Sequence, residues 1–104
     1  MSISELIKKK IAEAERKCGE VEKMWDQLLK EIRELPDLQI NVVGGTADIE
    51  LLRKTRGRMV ICGRYLKMTW NEDGISVRHQ DIPVPIRYTD LDTLREIVAT
   101  WYAR

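Results

Sequence analysis

The chain of 104 residues contains no phenylalanine, one histidine, two cysteines and three prolines. A metal site needs three or four ligands, and one histidine with two distant cysteines does not supply them. Two cysteines fit a reduced cytoplasmic protein better than a disulfide scaffold. No apolar run approaches the ~20 residues that span a bilayer, and the N-terminus lacks the apolar core of a signal peptide. We therefore expect a cytoplasmic protein with no metal, no cofactor and no membrane contact.

The charges nearly cancel over the whole chain. Lysine and arginine total 18 and aspartate and glutamate total 17, for a formal net charge of +1. This balance excludes a strong overall attraction to nucleic acid or to a membrane. A hydrophobic content of 43% supports a single domain, residues 1–104, with a modest core.

Apolar residues recur along the N-terminal third of the chain in alternating steps of four and three residues. They are Ile7, Ile11, Ala14, Cys18, Val21, Trp25, Leu28, Ile32 and Leu35. This spacing predicts a long amphipathic, coiled-coil-like helix within segment 1–36. Ser2 and Glu5 have the spacing of a capping box, which starts the helix near Ile3, and Pro36 ends it.

The predicted helix is too long for a compact domain of this size. Residues 3–35 would span roughly 50 Å, whereas the folded chain would be about 34 Å across. We therefore expect the helix to overhang and to pair with a second copy, most simply as a symmetric dimer. The predicted dimer interface comprises Ile7, Ile11, Ala14, Cys18, Val21 and Trp25. The alternative is a helix that bends at Gly19 and folds back on its own domain.

Two hairpins are predicted in segment 37–88. The first joins strands at 38–42 and 47–51 through Gly44-Gly45, and the second joins a strand at 58–70 to the next through the turn 71–74. Alternation then places the apolar residues of both hairpins on one face. The expected cross-strand pairs are Leu38–Leu51, Ile40–Ile49, Val42–Ala47, Met68–Val77 and Trp70–Ile75.

Two features interrupt this pattern. Alternation points Arg64 inward, and Gly63 beside it marks a candidate bulge that would re-aim it. Segment 82–86 contains two prolines, which remove ladder donors, so it is predicted as an edge or crossing segment and not as a central strand. The meander is therefore expected to have four strands.

A second helix is predicted in segment 89–104, capped by Thr89 or Asp90. Its apolar stripe comprises Leu91, Leu94, Val98 and Trp101. The stripe of the first helix widens from Met24 onward, so both helices have a face that suits packing on a sheet. The predicted fold class is α+β in two layers: long helix, four-stranded antiparallel meander, C-terminal helix.

Few residues point to catalysis. His79 is expected near Leu66 at the end of the inner face, where a structural histidine is a simpler reading than a catalytic base. Cys62 lies on a neighbouring strand but several residues away along the ladder, which disfavours a Cys–His dyad. Asp90 and Asp92 are explained by a helix start. The sequence therefore predicts a protein that is not an enzyme.

The middle of the chain holds the one charge asymmetry. Residues 51–71 contain six basic residues and no acidic residue. The predicted binding residues are Arg53, Lys54, Arg56, Arg58, Tyr65, Lys67 and Arg78. We predict a protein–protein interaction module, such as a small inhibitor or adaptor, that forms a homodimer and presents this basic face to an unidentified protein. The alternative is a binder of nucleic acid or of a phosphate-bearing nucleotide.

Overall fold

A computed structural model describes residues 2–80 and 82–103, except for the side chains of Ile61, Cys62 and Pro83. The elements in chain order are α1 (Ile3–Arg33), β1 (Leu38–Val43), β2 (Thr46–Thr55), β3 (Arg58–Asn71), β4 (Gly74–His79), β5 (Ile82–Tyr88) and α2 (Leu91–Ala103). Neighbouring strands are antiparallel, in the order β1-β2-β3-β4-β5. The predicted α+β fold with an antiparallel sheet and a C-terminal helix against it is confirmed.

The predicted number of four strands is wrong, because segment 82–88 forms a fifth strand. Ile86 lies opposite Val77 and Ile82 lies opposite His79, with a register shift between these pairs. Pro83 and Pro85 therefore lie in an irregular stretch of an edge strand. Proline has no N–H donor, and an edge strand tolerates this on the side that has no neighbouring strand. The prolines excluded a central strand, as predicted, but an edge strand needs donors on one side only.

Both hairpins have the predicted registers. Leu38, Ile40 and Val42 lie opposite Leu51, Ile49 and Ala47, and Met68 and Trp70 lie opposite Val77 and Ile75. These pairs are set by two-residue turns and by strict alternation, so a shift by one residue would turn every apolar side chain toward water.

Helix α1 runs unbroken for 31 residues and passes through Gly19. The Ser2 hydroxyl accepts a hydrogen bond from the Glu5 N–H at 3.2 Å, as the capping box predicts. The molecule measures 68 × 22 × 21 Å. Its radius of gyration is 17.0 Å, compared with about 13 Å for a compact chain of this length. The helix therefore overhangs the domain and does not fold back at Gly19.

The core lies between the sheet and the two helices. Trp25 and Trp101 are 3% and 1% exposed, and they supply the aromatic volume that phenylalanine provides elsewhere. The other buried apolar residues are Val21, Leu28, Leu29, Ile32, Ala47, Ile49, Leu66, Met68, Ile75, Val77, Leu94 and Val98. Removing this apolar area from water at about 25 cal/mol per Å² is the main stabilising contribution.

Polar contacts join α2 to α1 and to the segment that follows α1. Arg95 on α2 forms a 3.0 Å ion pair with Glu31 on α1. The Tyr102 hydroxyl donates to the Pro36 carbonyl at 2.9 Å. The hydrogen bond from Arg95 lowers the pKa of Glu31, with a second contribution from Gln27.

The lowered pKa of Glu31 predicts a pH dependence of stability. Because the folded-state pKa lies below the unfolded one, the contribution is present above the unfolded pKa and is lost as pH falls through the folded pKa. We expect Glu31→Gln to lose less stability than the wild type between about pH 5 and pH 3. Urea unfolding at both pH values measures this. Glu22→Gln, an exposed acid on the same helix, is the control, and equal pH slopes in all three proteins would contradict the prediction.

Candidate interaction surfaces

The N-terminal half of α1 carries an exposed apolar stripe. Residues 2–12 are all exposed. Ile3, Leu6, Ile7 and Ile11 have exposed fractions of 78%, 43%, 52% and 53%, and their spacing places them along one face of the helix. We call these four residues the exposed stripe. Single exposed apolar residues are common on proteins, but a row on one face of a projecting helix is typical of an interaction surface.

The predicted dimer interface is divided between this exposed region and the core. Ile7 and Ile11 belong to the exposed stripe, whereas Ala14 and Cys18 are half-buried. Val21 and Trp25 are buried in the core of their own chain, so a second copy cannot reach them without opening that core. The heptad spacing continues through both halves, because the same helix face first extends past the sheet and then lies on it.

The exposed and buried parts of α1 meet where the sheet ends. A shallow groove separates α1 from the turn between β3 and β4. Its lining residues are Lys10, Glu13, Ala14, Lys17, Glu72 and Asp73. N-terminal to this turn the helix is exposed, and C-terminal to it Val21 is the first buried residue of the helix.

The second surface is a basic two-stranded projection. In the described pairing, β1 accompanies β2 as far as the Leu38–Leu51 pair, and β4 accompanies β3 only from the His79–Leu66 pair. The ends of β2 and β3 beyond these pairs contact each other. We call residues 53–60 the basic ribbon. Its pairs are Arg53–Val60, Lys54–Met59 and Thr55–Arg58, joined by Arg56-Gly57.

A bulge at the base of the ribbon confirms the irregularity predicted at Gly63. The register between β2 and β3 shifts between Glu50 and Leu52, and Gly63 has φ +82°. Arg64 nevertheless stays on the helix side of the sheet, where its guanidinium carbon lies 5.8 Å from the Trp101 ring centroid. This contact is a cation–π geometry, and it removes Arg64 from the exposed basic surface.

The remaining predicted binding residues lie on the outer sheet face, away from the ribbon. Lys67 lies opposite Asp48 on one side and Arg78 on the other, and Tyr65 lies opposite Glu50. This face therefore mixes both signs of charge. The structure brings Arg53, Lys54, Arg56 and Arg58 together but separates them from Tyr65, Lys67 and Arg78. This separation follows from how far β2 and β3 extend past β1 and β4. That extension depends on the pairing of segments distant in sequence, so the local sequence pattern does not predict it.

His79 is buried at 7% exposure and lies opposite Leu66, as predicted. It borders a cleft of about 390 Å³ between α2 and the start of β5, which Trp101 also lines. The side chain of Cys62 lies outside the described residues, so the separation of Cys62 from His79 stays a prediction. Among the described residues, no three histidine, cysteine, aspartate or glutamate side chains gather as metal ligands.

Comparison with known proteins assigns this chain to no family. Neither the family models, nor the curated proteins, nor the solved structures contain a match. Within the described part of the chain, no helix is both long and apolar enough to cross a membrane.

Proposed function

We propose that this chain is a non-enzymatic interaction protein that self-associates through the N-terminal half of α1. The observation that carries the proposal is the exposed stripe, a row of large apolar side chains on a helix that projects past its own sheet. The stripe is continuous with the helix face that already forms the α1–sheet interface. A second copy of the same helix is the occupant whose spacing matches it.

The position of the sheet favours an antiparallel pair. From Val21 to Ile32 the same helix face is covered by the sheet of its own chain. In a parallel pair the second helix would continue into the volume that this sheet occupies. In an antiparallel pair with Ile7 opposite Cys18, Val21 of the second copy, where its own sheet begins to bury the helix, lies opposite Ser4 of the first helix. The two helices therefore pair through their exposed halves.

Side-chain size also fits the antiparallel arrangement. Aligning the helices with Ile7 opposite Cys18 of the second copy also places Ile11 opposite Ala14. Each layer then combines a large side chain with a small one, which fills space evenly. A parallel pair in register would place Ile on Ile and Ala on Ala, with uneven separation between the helices.

The charged residues that flank the stripe favour a parallel pair, but their contribution is smaller than the steric effect of the sheet. In a parallel pair Lys10 and Lys17 would approach Glu15 and Glu22 of the second copy. Exposed ion pairs of this kind contribute about 0.2–1 kcal/mol each. Overlap of the second helix with the folded sheet of the first chain is a steric exclusion that such contributions cannot offset, so the antiparallel pair is the arrangement we propose.

Molar mass in solution tests the self-association. We expect wild-type protein at about 100 µM, a concentration suited to a short interface of micromolar affinity, to approach twice the chain mass of 12.2 kDa in light scattering. Ile11→Asp should be a monomer with an unchanged circular dichroism spectrum, because a paired interface would bury its carboxylate. Ala12→Asp adds the same charge at the neighbouring outward position and should remain a dimer. A monomeric wild type, or a dimeric Ile11→Asp variant, would refute the proposal.

Cysteine cross-linking tests the orientation separately. In a Cys62→Ser background, Ile7→Cys should form a disulfide with Cys18 of the second copy on mild oxidation. The same background without Ile7→Cys should not cross-link, because the two Cys18 residues lie far apart in an antiparallel pair. A rapid Cys18–Cys18 disulfide would instead demonstrate a parallel pair.

A further inference from the structure

We propose that the basic ribbon, residues 53–60, inserts into the major groove of double-stranded DNA. Four of its eight residues are basic, none is acidic, and all are exposed. The site does not require self-association, so it goes beyond the function proposed above.

The ribbon carries positive charge in three directions. Cross-strand partners share a face of a two-stranded ribbon, so Arg53 and Arg58 project on one side and Lys54 projects on the other. Arg56 occupies the tip. Two acidic residues lie at the base, outside the ribbon: Asp37, whose backbone carbonyl accepts a 2.8 Å hydrogen bond from the Leu52 N–H, and Glu50, at the register shift between β2 and β3.

This distribution fits a groove with phosphates on both walls. The major groove of B-form DNA is about 12 Å wide and admits a two-stranded ribbon. Cations on both faces of the ribbon would then each reach a phosphate row. An acidic patch on a protein would meet one face of the ribbon and leave the other in water, so duplex DNA is the better match to the charge distribution.

The tip residue gives an independent reason to look for a ligand. Arg56 has φ +52° and Gly57 has φ +76°, so both central positions of the turn are left-handed. Such turns strongly prefer asparagine, aspartate or glycine at the first position. Arginine is therefore unfavourable for the turn itself. Its presence places a positive charge at the tip of the projecting ribbon, which is consistent with a role in binding.

Exposed apolar side chains lie among these charges. Met59 and Val60 are 48% and 41% exposed. Within a groove they would contact sugars and base edges, which present apolar surface between the hydrogen-bonding groups. The ribbon therefore combines apolar and basic side chains without acidic ones, whereas on the outer sheet face Asp48 and Glu50 lie among the basic residues.

Fluorescence anisotropy with a labelled 20-base-pair DNA duplex tests the proposal. The Ile11→Asp variant is used alongside wild type, so that failure of self-association is distinguished from failure of DNA binding. We expect binding by both proteins at low salt, with a slope of log affinity against log salt of about −2.7 to −3.6 for three to four phosphate contacts. No binding by either protein at about 20 mM salt would overturn the proposal.

The variants separate the ribbon from other basic residues. Arg56→Asn removes the tip charge and improves the turn, so we expect a melting temperature that is unchanged or higher. Its DNA affinity should fall several-fold, with the salt slope reduced by about one. Lys67→Gln on the outer sheet face should retain wild-type affinity. Equal losses for Lys67→Gln and Arg56→Asn would show that the ribbon is not the site.

Two competitors test the groove. An RNA duplex of the same length has a deep, narrow major groove that does not admit the ribbon, so it should compete several-fold less well than DNA. Poly-glutamate at matched charge should compete weakly. Equal competition by RNA duplex would refute groove insertion, and displacement by poly-glutamate at the same charge concentration would assign the ribbon to an acidic protein partner instead.

Discussion

Trp25→Ala is expected to lower the free energy of unfolding by about 3–5 kcal/mol. Trp25 is 3% exposed and contributes to the core between α1 and the sheet. Truncating a side chain of this size removes its transfer free energy and leaves a cavity that the surrounding residues fill only in part. Domains of this size are stabilised by about 5–15 kcal/mol in total, so the variant would be close to unfolding.

Ile11→Ala is the matched control for Trp25→Ala, because both residues belong to the same heptad pattern. Ile11 is 53% exposed in the single chain, so its truncation should change the stability of the monomer by about 0.5 kcal/mol or less. Urea unfolding at about 1 µM, where a pair of micromolar affinity dissociates, measures both variants. A small loss for Trp25→Ala combined with weaker dimerisation would place Trp25 in the interface between copies and contradict the structure.

Gly74→Ala is expected to lower the free energy of unfolding by about 2–5 kcal/mol. Gly74 begins β4 with φ +134°, a conformation that side chains rarely adopt. A Cβ atom at this position would lie 2.3 Å from the Tyr88 carbonyl oxygen on the neighbouring edge strand. That oxygen belongs to the backbone, so relief of the clash would require β4 and β5 to move apart.

Gly19→Ala is expected to raise the stability, in contrast to Gly74→Ala. A Cβ atom at Gly19 would have no neighbour within 4 Å, and the residue lies in the interior of α1. Alanine there should raise the stability by about 1 kcal/mol, because it restricts the unfolded chain and favours the helix. Thermal unfolding of both variants measures the contrast. A tolerated Gly74→Ala would show that β5 does not approach β4 as closely as described.

The features that the sequence predicted well are set by neighbours along the chain. The capping box at Ser2 and Glu5 and the registers of both hairpins depend on turn chemistry and on side-chain period. The length of α1 follows from the distance between that cap and Pro36. The two prolines excluded a central strand and left segment 82–86 as an edge or crossing segment, and only the proximity of β4 shows that it pairs as a fifth strand.

The candidate surfaces were predicted less completely. The wider apolar stripe from Met24 onward predicted that the second half of the helix packs on a sheet, but the heptad spacing did not show that the sheet already covers Val21 and Trp25. Likewise, the acid-free run 51–71 gave no sign that its first half would project while Lys67 would lie beside Asp48. Burial and charge neighbours depend on residues distant in sequence, so local pattern does not contain them.

By itself, the sequence determined that α1 would be long, that one face of it would be apolar, and that the positive charge would concentrate in residues 51–71. The tertiary structure decided where the sheet stops along α1 and how far β2 and β3 extend past their neighbours. The physical reason is that composition and period specify which side chains must leave water or carry charge. The packing of distant segments alone decides which of them are covered.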